Sequence, residues 1–152
     1  EINSEIMFSS DFIIGYPGEE DNDFQETFEL IQKINFINSY SFIFSPRPGT
    51  KSANLELIDK KISMKRLEKI QNLLFDNQAK MNKSIENKIL NVLVENLTDD
   101  KKNVFGRSEY MTSVIFNGKK EDIGKVVPVK IIKSNRSTLF GEIINNSNQK
   151  VA

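Results

Sequence analysis

The chain has 152 residues, 38% of them hydrophobic, with 21 basic and 21 acidic side chains and a formal net charge of zero. That apolar content is enough for one packed domain or two small ones, and the overall charge points to no partner. With no Cys and no His, the chain carries no disulfide, thiolate metal site or cysteine nucleophile, and lacks the usual neutral-pH general base.

The first informative stretch is IMFSSDFIIGYPGEE, residues 6 to 20. Apolar and β-forming residues run from Ile6 into a Gly-x-Pro-Gly turn at Gly15–Gly18, so a strand is expected over Ile6–Gly15. A buried strand, a tight turn and a helix make the repeating unit of an α/β fold, in which ligands sit at the carboxyl ends of strands. Asp11 is a carboxylate in this apolar run, either a strand-end group bonded to backbone amides or a ligand contact. Side chains at 11, 13 and 15 share one face because the strand period is two. Glu1 is not an initiator Met, and a lone βα unit cannot bury both faces of its strand. The chain is therefore expected to be the C-terminal part of a longer protein.

Residues 22–35 follow with Phe24, Phe28, Ile31 and Ile34 on one helical face, and Asp21, Asn22 and Asp23 suit its start. Tyr40–Phe44 alternates as a second strand and runs into Pro46-Arg47-Pro48-Gly49. An Arg in a proline-stiffened loop either grips a carboxylate or phosphate through its planar fork or is a plain turn residue. Residues 51–62 read as a surface loop. A helix over 63–82 is expected next, with Ser63 as N-cap, Ile62 stapled to Leu67, and a buried stripe of Leu67, Ile70, Leu74, Gln78 and Met81. Lys65, Arg66, Lys69 and Lys80 fall on its solvated face.

From about Lys88 the period changes to two. Segments 88–95, 103–107, 113–117, 125–133 and 138–144 read as short strands, separated by turn residues such as Asp99-Asp100 and Asn117-Gly118. Five such strands in about 60 residues point to a small barrel of the kind that binds single-stranded nucleic acid. Pro128 within one of them argues for an edge or bulge. Residues 1–82 carry nine basic and thirteen acidic groups, and residues 83–146 carry eleven and eight, so the second half is the basic one. Lys101, Lys102, Arg107 and Lys130 are among its cations, and Phe105, Tyr110 and Phe116 lie between them, a composition suited to phosphates and base stacking.

DFIIGYPGEEDNDF, then FSPRPGT ahead of KRLEKIQNLL, then NVLVE, GRSEYMTSVIF, IGKVVPVKI and TLFGEI occur in one order. Over nearly the whole chain this order resembles the C-terminal part of the methylthiotransferase family of radical S-adenosylmethionine (SAM) enzymes. The resemblance implies an α/β part followed by an all-β part. Residues 1–82 would be the last βα units of a partial TIM-type barrel, and residues 83–146 a five-stranded, OB-like TRAM domain. Ser45–Thr50 is similar to the tRNA-modifying branch. Tyr40-Ser41-Phe42 favours the enzyme acting on isopentenyladenosine beside the anticodon, with the threonylcarbamoyladenosine branch as the alternative.

By the same resemblance Asp11, Ile13 and Gly15 contact SAM, and Arg47 faces either the SAM carboxylate or the RNA. Arg107 matches the Gly-Arg pair of TRAM domains, with Lys101, Lys102 and Lys130 as further RNA contacts. Many relatives carry Asn where Tyr110-Met111 stand. The family's cysteines, which hold two 4Fe-4S clusters, have no counterpart here, so all cluster ligands lie outside this chain and it is expected to be inactive alone. The implied partners are a tRNA anticodon stem-loop and the missing N-terminal half of the enzyme. No apolar run approaches ~18 residues and no signal peptide opens the chain, so a cytoplasmic protein without a membrane partner is expected, monomeric when complete. A competing reading is a free-standing RNA-binding module.

Overall fold

The computed structural model describes residues 5–144, so residues 1–4 and 145–146 of the two expected domains lie outside it. Two compact units divide the chain, Glu1–Gln78 and Ala79–Ala152. In the first, β1 (Asp11–Ile14) pairs in parallel with β2 (Tyr40–Ile43), joined by α1 (Asp21–Ile34). A long helix, α2 (Lys60–Ser84), follows a short 3-10 turn at Lys51–Asn54.

The first strand is shorter than the apolar run from Ile6. Only four residues of β2 are available to pair with it. Upstream, Ile37 N–H reaches the Phe8 carbonyl and Tyr40 N–H the Ser10 carbonyl, without a continuous ladder. Phe12 and Ile14 point inward onto Phe24, Ile31, Phe36, Ile70 and Leu74, and Phe12 meets Phe36 edge-on at 5.3 Å. α1 opens with Asp23 Oδ2 accepting the Glu20 N–H at 2.8 Å, and closes at Asn35 with φ 55°.

α2 begins three residues before the expected start. Asp59 Oδ1 accepts the N–H groups of Lys61 and Ile62, so Asp59 does the capping expected of Ser63. Ser63 is buried within the first turns and bonds back to the Asp59 carbonyl, whereas Ile62 is exposed and already inside the helix, not at the position before an N-cap that a staple requires. Arg66, placed by its charge on the wet face, is 7% exposed.

The second unit is a closed five-stranded barrel in the order β3 (Ile89–Leu97), β4 (Val104–Ser108), β5 (Ser113–Asn117), β7 (Thr138–Ile143), β6 (Val126–Ser134). All neighbours are antiparallel except β5 and β7, which are parallel. Alternation sends Leu90, Val92, Val94, Val104, Val114, Phe116, Val129, Ile131 and Leu139 into the core. Phe116 is thus a core residue, not a stacking platform. Pro128 sits at neither an edge nor a bulge. It faces Asn91 on β3, its carbonyl accepts Ile144 N–H, and the irregularity of β6 lies between Ile131 and Lys133. Among the described residues no helix is long and apolar enough to cross a membrane.

Candidate cofactor wall and nucleic-acid interface

In the α/β unit, the register sets Asp11 opposite Tyr40 and Ile13 opposite Phe42. With Phe12 and Ile14 facing the core, these four side chains share the outer face, and Ile13, Tyr40 and Phe42 are each more than half exposed. The Tyr40 and Phe42 rings lie nearly parallel, 14° apart at 6.4 Å. The Asp11 carboxylate makes no hydrogen bond or ion pair among the described residues, unlike a carboxylate engaged by strand-end amides. One carboxylate beside three large apolar side chains has the chemistry to accept bonds from an amine while a flat ring packs alongside. The sequence offers Tyr40 and Phe42 as strand residues and as part of a branch motif, not as lining of a cofactor wall; parallel pairing, invisible in one sequence, brings them beside Asp11 and Ile13.

Gly15 has a different surrounding. Its φ is +74°, and a Cβ there would stand 2.5 Å from Ser63 Oγ, so its lack of a side chain serves close packing against α2. The turn after it is held by a constellation that charge alone concealed. Glu19 Oε2 accepts the Gly15 N–H at 2.8 Å, and its Oε1 accepts from Arg66 Nη1 at 2.7 Å. Arg66 also donates to the Glu19 carbonyl and to Asp21 at 2.7 Å, and lies over the Phe24 ring at 5.4 Å. Burial acts to lower the Arg66 pKa, but the bonds to Asp21 and Glu19 outweigh it and raise the value, so the guanidinium stays charged. Arg47 lies in the exposed loop after β2. Its carbonyl accepts the N–H and hydroxyl of Thr50, and its guanidinium has no partner among the described residues.

In the barrel, β4 and β5 turn Phe105, Arg107 and Ile115 outward, and the register continues Phe105–Ile115–Phe140 as a row across three strands. Lys101 and Lys102 stand in the loop joining β3 to β4, at one margin of that face. A five-stranded barrel of OB type presents ligands to its second and third strands and to the loop between its first two, which here are β4, β5 and residues 98–103. Residues 83–144 match the family model described as TRAM domain. The barrel is a TRAM domain.

Over all 152 residues the chain is 64% identical to tRNA-2-methylthio-N(6)-dimethylallyladenosine synthase of Pelagibacter ubique (strain HTCC1062), spanning 34% of that protein. The same-named synthase of Ruthia magnifica is 40% identical over 145 residues, 95% of this chain and 33% of the relative. That of Neorickettsia sennetsu is 41% identical over 136 residues, 90% of this chain and 28% of the relative. The chain therefore spans about a third of the length of the curated relatives it matches, and is homologous to the synthases over that stretch.

Within the TRAM domain, Arg107 is engaged: Nε is 3.2 Å from Glu95 Oε1, Nη1 donates to the Met111 carbonyl at 3.3 Å, and the guanidinium lies 5.9 Å from the Phe105 ring centroid. Met111 has φ 60°, a left-handed conformation that Asn adopts at lower cost. Lys130 is not gathered with the other three cations. It lies on β6 between Ile89 of β3 and Glu142 of β7, an opposite charge directly across the ladder. Iron–sulfur clusters do not fit this chain: it has no Cys, and the described residues contain no cluster of three or more His, Cys, Asp or Glu groups able to hold a metal.

Proposed function

We propose that this chain is the C-terminal portion of a tRNA methylthiotransferase that converts N6-isopentenyladenosine beside the anticodon to its 2-methylthio derivative, using SAM and a sulfur donor. The observation that carries this is the 64% identity along the whole chain to a synthase three times as long. Residues 1–82 belong in this reading to the catalytic domain, and residues 83–146 form the RNA-gripping domain. The names of the relatives favour the isopentenyl substrate over threonylcarbamoyladenosine. SAM and the two 4Fe-4S clusters supply the radical and sulfur chemistry when bound, with every cluster ligand outside this chain. What these residues do is bind and orient. Asp11 accepts hydrogen bonds from SAM, Ile13 packs against its adenine, and Gly15 ends the strand so that this face is presented. Arg47 offers its free fork to the SAM carboxylate or to the RNA. The anticodon stem-loop lies on the outer face of β4 and β5, where Arg107, Lys101 and Lys102 meet phosphates, Phe105 stacks, and Lys130 makes a more distant contact. The complete protein acts as a monomer in the cytoplasm.

Two measurements test this. The coding sequence upstream of Glu1 is expected to contain an in-frame Cys-x3-Cys-x2-Cys motif; a stop codon there would overturn the enzyme reading in favour of a free RNA-binding module. Titrating the chain with a short RNA stem-loop should give an affinity that falls steeply with salt, as counterions released from phosphates require, and weakens in Arg107→Ala. Salt-independent binding, or an unaltered affinity in that variant, would remove Arg107 from the interface.

A further inference from the structure

The ladder between β3 and β4 is in register from Val92 to Val94, then slips: Val94 faces Gly106, Asn96 faces Phe105, and Glu95 has no partner across the strand. Glu95 is the extra residue of a β-bulge. The in-out alternation of β3 fails there, and Glu95 and Asn96 are both exposed in succession. The close approach of the strands depends on Gly106, because a Cβ at that position would collide with the Leu93 carbonyl oxygen. Bulges of this kind re-aim a side chain, and this one sends a carboxylate onto Arg107.

The guanidinium is held at three points. Glu95 Oε1 forms an ion pair with Nε at 3.2 Å, the Met111 carbonyl accepts one N–H of Nη1, and the guanidinium lies over the Phe105 ring. A guanidinium has five N–H donors, so the Nη2 edge and the second hydrogen of Nη1 are left to give outward. Neither Arg107 nor Glu95 is shielded: their side chains are 42% and 34% exposed. The same two partners, Glu95 and Phe105, line an open groove of about 560 Å³ with Leu97, Thr98 and Ile115.

We propose that Glu95 is a positioning residue for RNA binding: its carboxylate fixes the Arg107 fork in the orientation that receives a phosphate, so this acid strengthens RNA affinity. The inference rests on the reading of this barrel face as the RNA-binding surface. It runs against simple electrostatics, in which removing an acid beside a phosphate site tightens binding. A long side chain held in place loses less freedom when it binds, and an Arg fork held at Nε keeps its remaining donors aligned.

The test uses the whole chain and a short RNA stem-loop as probe, at fixed physiological salt, with circular dichroism to verify that each variant is folded. Glu95→Ala should weaken binding about three- to tenfold. Glu95→Gln, which keeps the shape and a polar oxygen beside Nε but removes the charge, should recover part of that loss. In an Arg107→Ala background, removing Glu95 should no longer weaken binding and should tighten it through the lost negative charge. Tighter or unchanged binding by Glu95→Ala in the native background overturns the positioning role while leaving the surface assignment intact. If Arg107→Ala alone leaves affinity unaltered, the surface assignment fails and the inference falls with it.

Discussion

Arg66 shows what a single charged residue does when its surroundings are counted rather than its hydropathy. Its side chain ties Glu19 and Asp21 to α2, and Glu19 in turn holds the Gly15 amide where β1 ends. The two ion pairs are unequal. Glu19 is 12% exposed at its side chain, so losing its partner leaves a largely desolvated carboxylate, while Asp21 is 99% exposed and water replaces its bond. Arg66→Met, which keeps the stem over Phe24, is therefore expected to cost about 2–3 kcal/mol of stability in urea unfolding. Asp21→Asn should cost within about 0.5 kcal/mol. Equal effects in the two variants would show that the burial of Glu19 does not govern the clamp. Its charge argued for the solvated face although it shares a helical stripe with the buried Ile70 and Leu74, and only the distant carboxylates, invisible in the sequence, make its burial affordable.

At the scale of the elements, the barrel was the legible part and the α/β unit the harder one. Strand period, β-propensity and turn residues all act locally in the barrel, so each expected strand lies within a residue or two of its observed span. The apolar run before Asp11 misled because strand propensity is not a strand until a neighbour supplies the ladder. Bulges were invisible for the same reason, since they are properties of a pair. Gly106 marks one. An added methyl there meets the Leu93 carbonyl and also Val92 Cγ1 at 2.8 Å, both held by the barrel itself. Gly106→Ala is expected to destabilise the barrel by about 3 kcal/mol. Gly124→Ala is the control. It has φ +83° but nothing within 4 Å of the new Cβ, and should cost about 1 kcal/mol through backbone strain alone. Thermal denaturation of the two variants decides it, and a Gly106→Ala cost no larger than that of Gly124→Ala would mean the strands yield.

For the whole molecule, the absence of histidine and cysteine sets the response to pH. Between about pH 6 and 8 no side chain has an ordinary pKa, so stability should be nearly flat there. The acid side differs. Glu86 accepts from Lys83 Nζ at 2.6 Å and from the Ser134 hydroxyl at 2.7 Å, and these bonds, Lys83 first, hold its carboxyl below the usual range. Asp100 is lowered likewise by the Thr98 hydroxyl at 2.6 Å and the Lys102 N–H. A depressed folded-state pKa means that the folded chain binds fewer protons than the unfolded one, so stability rises with pH through that interval. The contribution is fully present above the unfolded values, about 4.3 for Glu and 3.9 for Asp, and is lost as pH falls through the lower folded values. Melting temperature should accordingly hold level from pH 8 to 6 and drop below about pH 4.5, more gently in Glu86→Gln with Asp100→Asn than in the parent. An acid limb of unchanged steepness in that double variant would assign the drop to other carboxylates. A slope between pH 6 and 8 beyond that of the terminal amine would contradict the account altogether.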